Sequence, residues 1–128
     1  MERPFSVLIV DDDEGMCETL ADVLLDKGHE VAIAKSGEEA VQLFRRQQFD
    51  LVLMDVKMPG MNGVDTLKCL NQMKGNVKVL MMTAYAVDDR LEEALREGAI
   101  GVAYKPLDLG DLLNTIRKVT TEPRPVAV

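Results

Sequence analysis

Two rhythms of apolar and polar residues alternate along this chain. Five short segments are dominated by apolar residues at strand length: Ser6–Val10 (SVLIV), Glu30–Ala34 (EVAIA), Asp50–Met54 (DLVLM), Val77–Met82 (VKVLMM) and Ile100–Tyr104 (IGVAY). Near-continuous apolar strands are those buried on both faces of a parallel sheet. The intervening stretches repeat apolar residues at helical spacing. Met16, Leu20, Val23 and Leu24 form the first, closed by Gly28 in the place of a C-terminal cap. Ser36-Gly-Glu-Glu39 is a capping box that opens a helix holding Ala40, Val41, Leu43 and Phe44. Asn62 can cap a third helix with Val64, Leu67, Leu70 and Met73, followed by Gly75. Val87, Leu91 and Leu95 define a fourth that stops at Gly98, and Asp108 caps a fifth with Leu109, Leu112, Leu113, Ile116 and Val119. Strict β-α repetition implies an α/β fold with a parallel sheet and helices on both faces.

The 128 residues suit one domain, read here as 1–119. Residues 120–128 contain two prolines and no periodicity, which predicts a flexible tail or the start of a linker. A net charge of −7 excludes a cationic footprint for nucleic acid. The apolar runs are too short to span a bilayer and no signal peptide opens the chain, so a cytoplasmic setting is expected. Cys17 and Cys69 lack the spacing of a zinc site or a disulfide framework and read as two small buried thiols.

In an open parallel sheet, ligands bind beyond the carboxyl ends of the strands. Those ends carry Asp11-Asp12-Asp13 after the first strand, Asp55 after the third, Thr83-Ala84 after the fourth and Lys105-Pro106 after the fifth. Together they make a carboxylate cluster, a hydroxyl and an ammonium on one edge. Clustered carboxylates repel one another, and a hard cation such as Mg²⁺, which takes oxygen ligands, relieves that repulsion. A carboxylate can accept a phosphoryl group, and a metal, a lysine and a hydroxyl can hold its charged oxygens. Taken singly, an Asp triplet before a helix also serves as an N-cap, and a Thr after a strand as a turn residue. The conjunction of all four groups in one β-α array favours the chemistry.

From Ser6 to about Val119 these residues resemble the receiver (response-regulator) domain of bacterial two-component signalling systems. The resemblance rests on the acidic pair after the first strand, the loop Asp55-Val-Lys-Met-Pro-Gly-Met-Asn-Gly63, Thr83-Ala84 and Lys105-Pro106. It implies a flavodoxin-like (βα)5 fold with strand order 2-1-3-4-5, an order that general knowledge of such proteins supplies. It implies that Asp55 is the phosphoryl acceptor, and that Asp11 and Asp12 are the metal-binding pair, Asp12 ahead of Asp11 as direct ligand. The backbone carbonyl of Lys57 corresponds to the third protein ligand of Mg²⁺. Thr83 corresponds to the hydroxyl that turns toward the phosphoryl group, Lys105 to the lysine that pairs with it, and Pro106 to a proline after a cis bond. Lys57 and Tyr85 stand where receivers tune dephosphorylation, and two large side chains there imply slow loss of the phosphoryl group. One departure is plain: the aromatic residue that many receivers carry three positions before the lysine is Val102 here, and Tyr104 is the nearest aromatic.

The implied function is a switch phosphorylated by a histidine kinase or a phosphotransfer protein. It is no enzyme beyond its own phosphorylation and dephosphorylation, and it presents a changed face of fourth helix, fifth strand and fifth helix to a downstream protein or effector domain. Acidic Asp88, Asp89, Glu92 and Glu93 beside basic Arg117 and Lys118 would support a symmetric dimer on phosphorylation, although a solvated surface explains the same charges. An alternative is a haloacid-dehalogenase-like phosphatase with Asp11 as nucleophile and Asp11-x-Asp13 as its first motif. That reading leaves Asp55 and its loop unexplained. A flavin carrier of the same fold would need a Gly/Ser/Thr loop after the first strand, where three carboxylates stand instead.

Overall fold

The computed structural model describes residues 4–74, 77–84 and 89–121. Strand and helix alternate throughout: β1 (Ser6–Val10), α1 (Glu14–Asp26), β2 (Glu30–Ala34), α2 (Gly37–Arg46), β3 (Leu51–Asp55), α3 (Gly63–Met73), β4 (Val79–Thr83), α4 (Asp89–Arg96), β5 (Gly101–Tyr104) and α5 (Leu109–Thr121). The five strands are parallel in the order β2-β1-β3-β4-β5, as the resemblance implies. Among the described residues no helix is long and apolar enough to cross a membrane.

Alternation along the three central strands divides the core in two. Leu8, Val10, Val52, Met54, Val79 and Met81 face a layer built by α2, α3 and α4. Val7, Ile9, Leu51, Leu53, Leu80 and Met82 face α1 and α5. Both faces of β1, β3 and β4 are therefore covered, which is why these strands read as continuous apolar runs. The buried stripe of α1 is Cys17, Leu20, Ala21 and Leu24, so Met16 and Val23 from the periodicity sit at its half-buried margins.

The caps form where the sequence places them. Ser36 Oγ accepts the Glu39 N–H at 3.1 Å as the capping box requires, whereas Glu39 Oε2 reaches one residue further back and accepts the Lys35 N–H at 3.2 Å. Asn62 Oδ1 accepts the Asp65 N–H and Asp108 Oδ1 the Asp111 N–H. At the far end of α1, Gly28 adopts φ +89° and donates to the Leu25 carbonyl while His29 donates to Leu24, a turn that needs a left-handed residue.

Strand boundaries move by one or two residues from the sequence expectation. β3 is Leu51–Asp55 rather than Asp50–Met54, and β4 is Val79–Thr83 rather than Val77–Met82. Hydropathy alone would leave the terminal Asp55 and Thr83 outside, yet the ladder pairs Asp55 with Met82 and Thr83 with Tyr104. α5 runs to Thr121, two residues into the stretch read as tail. Gly75, Tyr85, Val87, Asp88 and residues 122–128, all named above, lie outside the described residues.

Candidate functional site

Register brings the chemistry to one edge. Val10 pairs with Met54 across β1 and β3, so Asp11 and Asp55, the next residues, stand side by side. Asp55 pairs with Met82, and Thr83 follows. Thr83 pairs with Tyr104, and the Lys105 N–H continues the ladder to the Thr83 carbonyl at 2.7 Å. A one-residue slip in any pair would turn these side chains to the opposite face. The apolar strands thus carry the information that aims the polar site.

Carboxylate oxygens of Asp11, Asp12 and Asp55 lie within 4.8 Å of one another. Asp11 is fully buried and Asp55 is 6% exposed, whereas Asp12 faces solvent. Lys105 reaches across from β5 and its Nζ sits 2.7 Å from Asp11 Oδ2 and 3.5 Å from Asp55 Oδ1. The other oxygen of Asp11, Oδ1, accepts the Asp13 N–H at 2.9 Å. Asp13 itself caps α1, its Oδ1 accepting the Met16 N–H at 3.2 Å, so the third acid of the triplet is structural. Thr83 is buried at the end of β4.

Two of the three clustered carboxylates, Asp11 and Asp55, share the Lys105 ammonium. Burial first, and the adjacent Asp11 charge second, push the Asp55 carboxyl up to about 6, against the pull of Lys105 and of the Lys57 N–H bonded to it. Burial draws the Lys105 ammonium down, but its hydrogen bond to Asp11 and the charges of Asp55 and Asp11 outweigh that and hold it above the ordinary lysine range. Excess negative charge on hard oxygen donors, two buried and one exposed, suits a divalent cation such as Mg²⁺ far better than a thiol- or imidazole-loving metal.

The loop after β3 is tied back onto the site. The Gly63 N–H donates to the Val56 carbonyl at 2.9 Å. A Cβ at Gly63 would run into the Asp55 carbonyl oxygen and lie 3.0 Å from Val56 Cα, so only glycine allows α3 to start this close to the end of β3. Met58 is buried in the core beneath the loop while Lys57 beside it is exposed. The Lys105–Pro106 peptide is cis.

Sequence reasoning missed some neighbours. Cys17, one turn into α1, donates through Sγ to the Asp11 carbonyl at 3.4 Å, and burial, with Asp11 and Asp13 adding, pushes its thiol up to about 11. Its place after the Asp triplet was the only available signal. Cys69 is half-buried rather than buried, because it lies at the edge of the α3 stripe. Val102 packs against the α2–α4 side of the core and Ala103 against the α5 side. By alternation Tyr104 shares the side of Val102; it is 54% exposed.

A model of the response regulator receiver domain matches residues 7–117. The transcriptional regulatory protein ZraR of Escherichia coli is 43% identical over 112 residues, covering 88% of this chain and 25% of that protein. The chain thus spans about a quarter of the length of that relative. Sporulation initiation phosphotransferase F of Bacillus subtilis is 34% identical over 112 residues, 88% of this chain and 90% of that protein. Among solved structures, the CheX–CheY–BeF₃–Mg²⁺ complex from Borrelia burgdorferi superposes with a TM-score of 0.86 at 30% identity, covering 93% of this chain and 91% of that one. The phosphatase alternative is withdrawn: the match is to another family, and Asp11 is fully buried with both oxygens engaged by Lys105 and the Asp13 N–H.

Proposed function

The chain belongs to the response regulator receiver family, whose members are phosphorylation-activated switches, and from that premise we propose that Asp55 is the residue that accepts the phosphoryl group. The observation that carries the assignment is the convergence on Asp55 of Asp11, Asp12 and Lys105 from two other strand ends. Asp11, Asp12, Asp55 and the Lys57 backbone carbonyl would hold Mg²⁺, which supplies positive charge to the phosphoryl oxygens when bound.

The chain's own groups supply the remainder. With its pKa held at about 6, Asp55 is mostly a carboxylate at neutral pH and retains its lone pair for attack. A bond forms from Asp55 Oδ to phosphorus as the bond from phosphorus to the donor breaks, and the donor leaves with its electron pair: imidazole from a phosphohistidine, acetate from acetyl phosphate. Lys105, already between Asp11 and Asp55, exchanges a carboxylate partner for a phosphoryl oxygen with little movement of its stem. Thr83, at the end of the neighbouring strand, donates its hydroxyl to another phosphoryl oxygen and draws in the residues after it. These new bonds bias a two-state equilibrium, which is how a local charge becomes a change of surface.

The chain through the end of α5 at Thr121 acts as the receiver domain and the remainder as a tail or linker. A histidine kinase or phosphotransfer protein is the donor, and a downstream protein or effector domain reads the output face in the cytoplasm. Exposed Leu95 on α4, Ile100 just before β5 and Tyr104 at its end give that face apolar surface for a partner or a second copy. Glu93 is already committed to Lys68 of α3, which removes one acid from the flank invoked for a dimer. With acetyl phosphate and Mg²⁺, intact-mass spectrometry should show one added phosphoryl group on the wild type and none on Asp55→Asn. Undiminished labelling of the variant would overturn the assignment.

A further inference from the structure

Building on the proposed Mg²⁺ site, we infer that Glu38 is a positioning residue for it, acting on the Lys57 carbonyl through the β3–α3 loop. Glu38 lies in the first turn of α2, which takes no part in the acidic cluster. Its Oε1 accepts the Met61 N–H at 3.2 Å, a contact between residues far apart in sequence. Gly60, next to Met61, turns with φ +74°, and a Cβ there would meet the same Oε1 at 3.3 Å. One carboxylate oxygen therefore sits over the outer corner of the loop. The first turn of α2 is brought this near because residue 37 is glycine: a Cβ at Gly37 would run into Thr66 Oγ1 of α3 and lie 3.1 Å from the Met61 side chain. Ser36 and Glu39 tie the start of α2 without Glu38, which leaves its carboxylate available to the loop.

Other restraints among the described residues also hold the loop. Met58 is buried beneath it, the Gly63 N–H closes it onto the Val56 carbonyl, and the Lys57 N–H is bonded to Asp55. All three act on the inner side or the ends. The outer corner at Gly60–Met61 is exposed or half-buried, and Glu38 of α2 ties the Met61 backbone there while Gly37 lets the Met61 side chain pack against the same helix turn. A backbone carbonyl has no rotamer of its own, so its direction is set by the loop that carries it. Restraints outside a metal's ligand set commonly tune its affinity in this way.

The full chain is titrated with MgCl₂ by calorimetry, with the Lys57 and Met61 amide signals followed by NMR, for wild type, Glu38→Ala and Glu38→Gln. Glu38→Ala should weaken Mg²⁺ binding about tenfold, the low end for restraints outside a ligand set because Glu38 acts through the loop, and speed amide hydrogen exchange at Met61. Glu38→Gln keeps an acceptor oxygen without the charge, and should return both readouts close to wild type. Thermal unfolding without metal checks that α2 is intact. Unchanged Mg²⁺ affinity in Glu38→Ala would overturn the inference. So would Glu38→Gln falling as far as Glu38→Ala, since charge rather than loop position would then be at work. A wild-type protein that fails to bind Mg²⁺ would overturn this inference together with the metal reading, whereas normal wild-type binding with an indifferent Glu38→Ala overturns the inference alone.

Discussion

The two ends of the sheet put acidic side chains to opposite uses. At the amino end, Asp50 Oδ2 accepts the Ser6 N–H at 2.8 Å and Glu30 Oε2 accepts the Ser6 hydroxyl at 3.1 Å. Both carboxylates are exposed, and the hydrogen bonds tie strand starts together. At the carboxyl end, Asp11 and Asp55 are buried next to each other and next to Asp12, with Lys105 as their shared counter-charge. Water keeps the first pair content as structural residues. Loss of water makes the second set an electrostatic load that the fold carries without benefit to its own stability. Carboxylates announce function when they are desolvated and crowded, and serve as ordinary ties when they are neither.

Removing the counter-charge breaks this contrast most severely. Lys105→Ala would strand a buried Asp11 and worsen its repulsion with Asp55. A cost of about 2 kcal/mol is expected, below the usual figure for a broken buried pair because Lys105 is partly exposed. Asp50→Ala at the other end should cost about 0.5–1 kcal/mol, one exposed hydrogen bond. Urea unfolding of both variants without metal measures the gap; equal losses would erase the distinction between the two ends.

A smaller effect of opposite sign sharpens it. The folded state holds the Asp55 proton at about 6 against an ordinary 3.8, so the native protein binds that proton more tightly than the unfolded chain does. The contribution of Asp55 to the stability of the metal-free wild type therefore falls as pH rises from about 4 to about 6 and stays low above that. Asp55→Asn lacks this loss and should be more stable by about 1–2 kcal/mol at pH 7.5, with the advantage gone below pH 4. Mg²⁺ should narrow the difference by stabilising the wild type. Denaturant midpoints across pH provide the check, and parallel curves for the two proteins would contradict a burden at Asp55.

Much of this was legible before any coordinates. The apolar runs announced β1 to β5, and Ser36, Asn62 and Asp108 marked helix starts because a capping side chain acts on its own neighbours. The identities of Asp11, Asp12, Asp55, Thr83 and Lys105 followed from their places after strands. Contacts across long sequence separations were not legible. The Lys105–Asp11 pair joins residues 94 apart, and the Glu38–Met61 bond depends on how closely α2 packs on the loop. Strand ends were misjudged at Asp55 and Thr83 because hydropathy says nothing of a backbone ladder that continues under a polar side chain. The exposure of Tyr104 likewise depends on β5 being an edge strand, which strand order decides and local pattern does not.

The most direct test of a crowded, buried acceptor at the carboxyl end is to locate the phosphoryl group chemically. Protein phosphorylated by acetyl phosphate and Mg²⁺ is treated with borohydride, which reduces an aspartyl phosphate to homoserine, and its peptides are sequenced by mass spectrometry. Conversion at Asp55, with Asp11, Asp12 and Asp50 untouched, is the expected result. Homoserine at Asp11 or Asp12, or a spread of conversion over exposed acids such as Asp50, would contradict it.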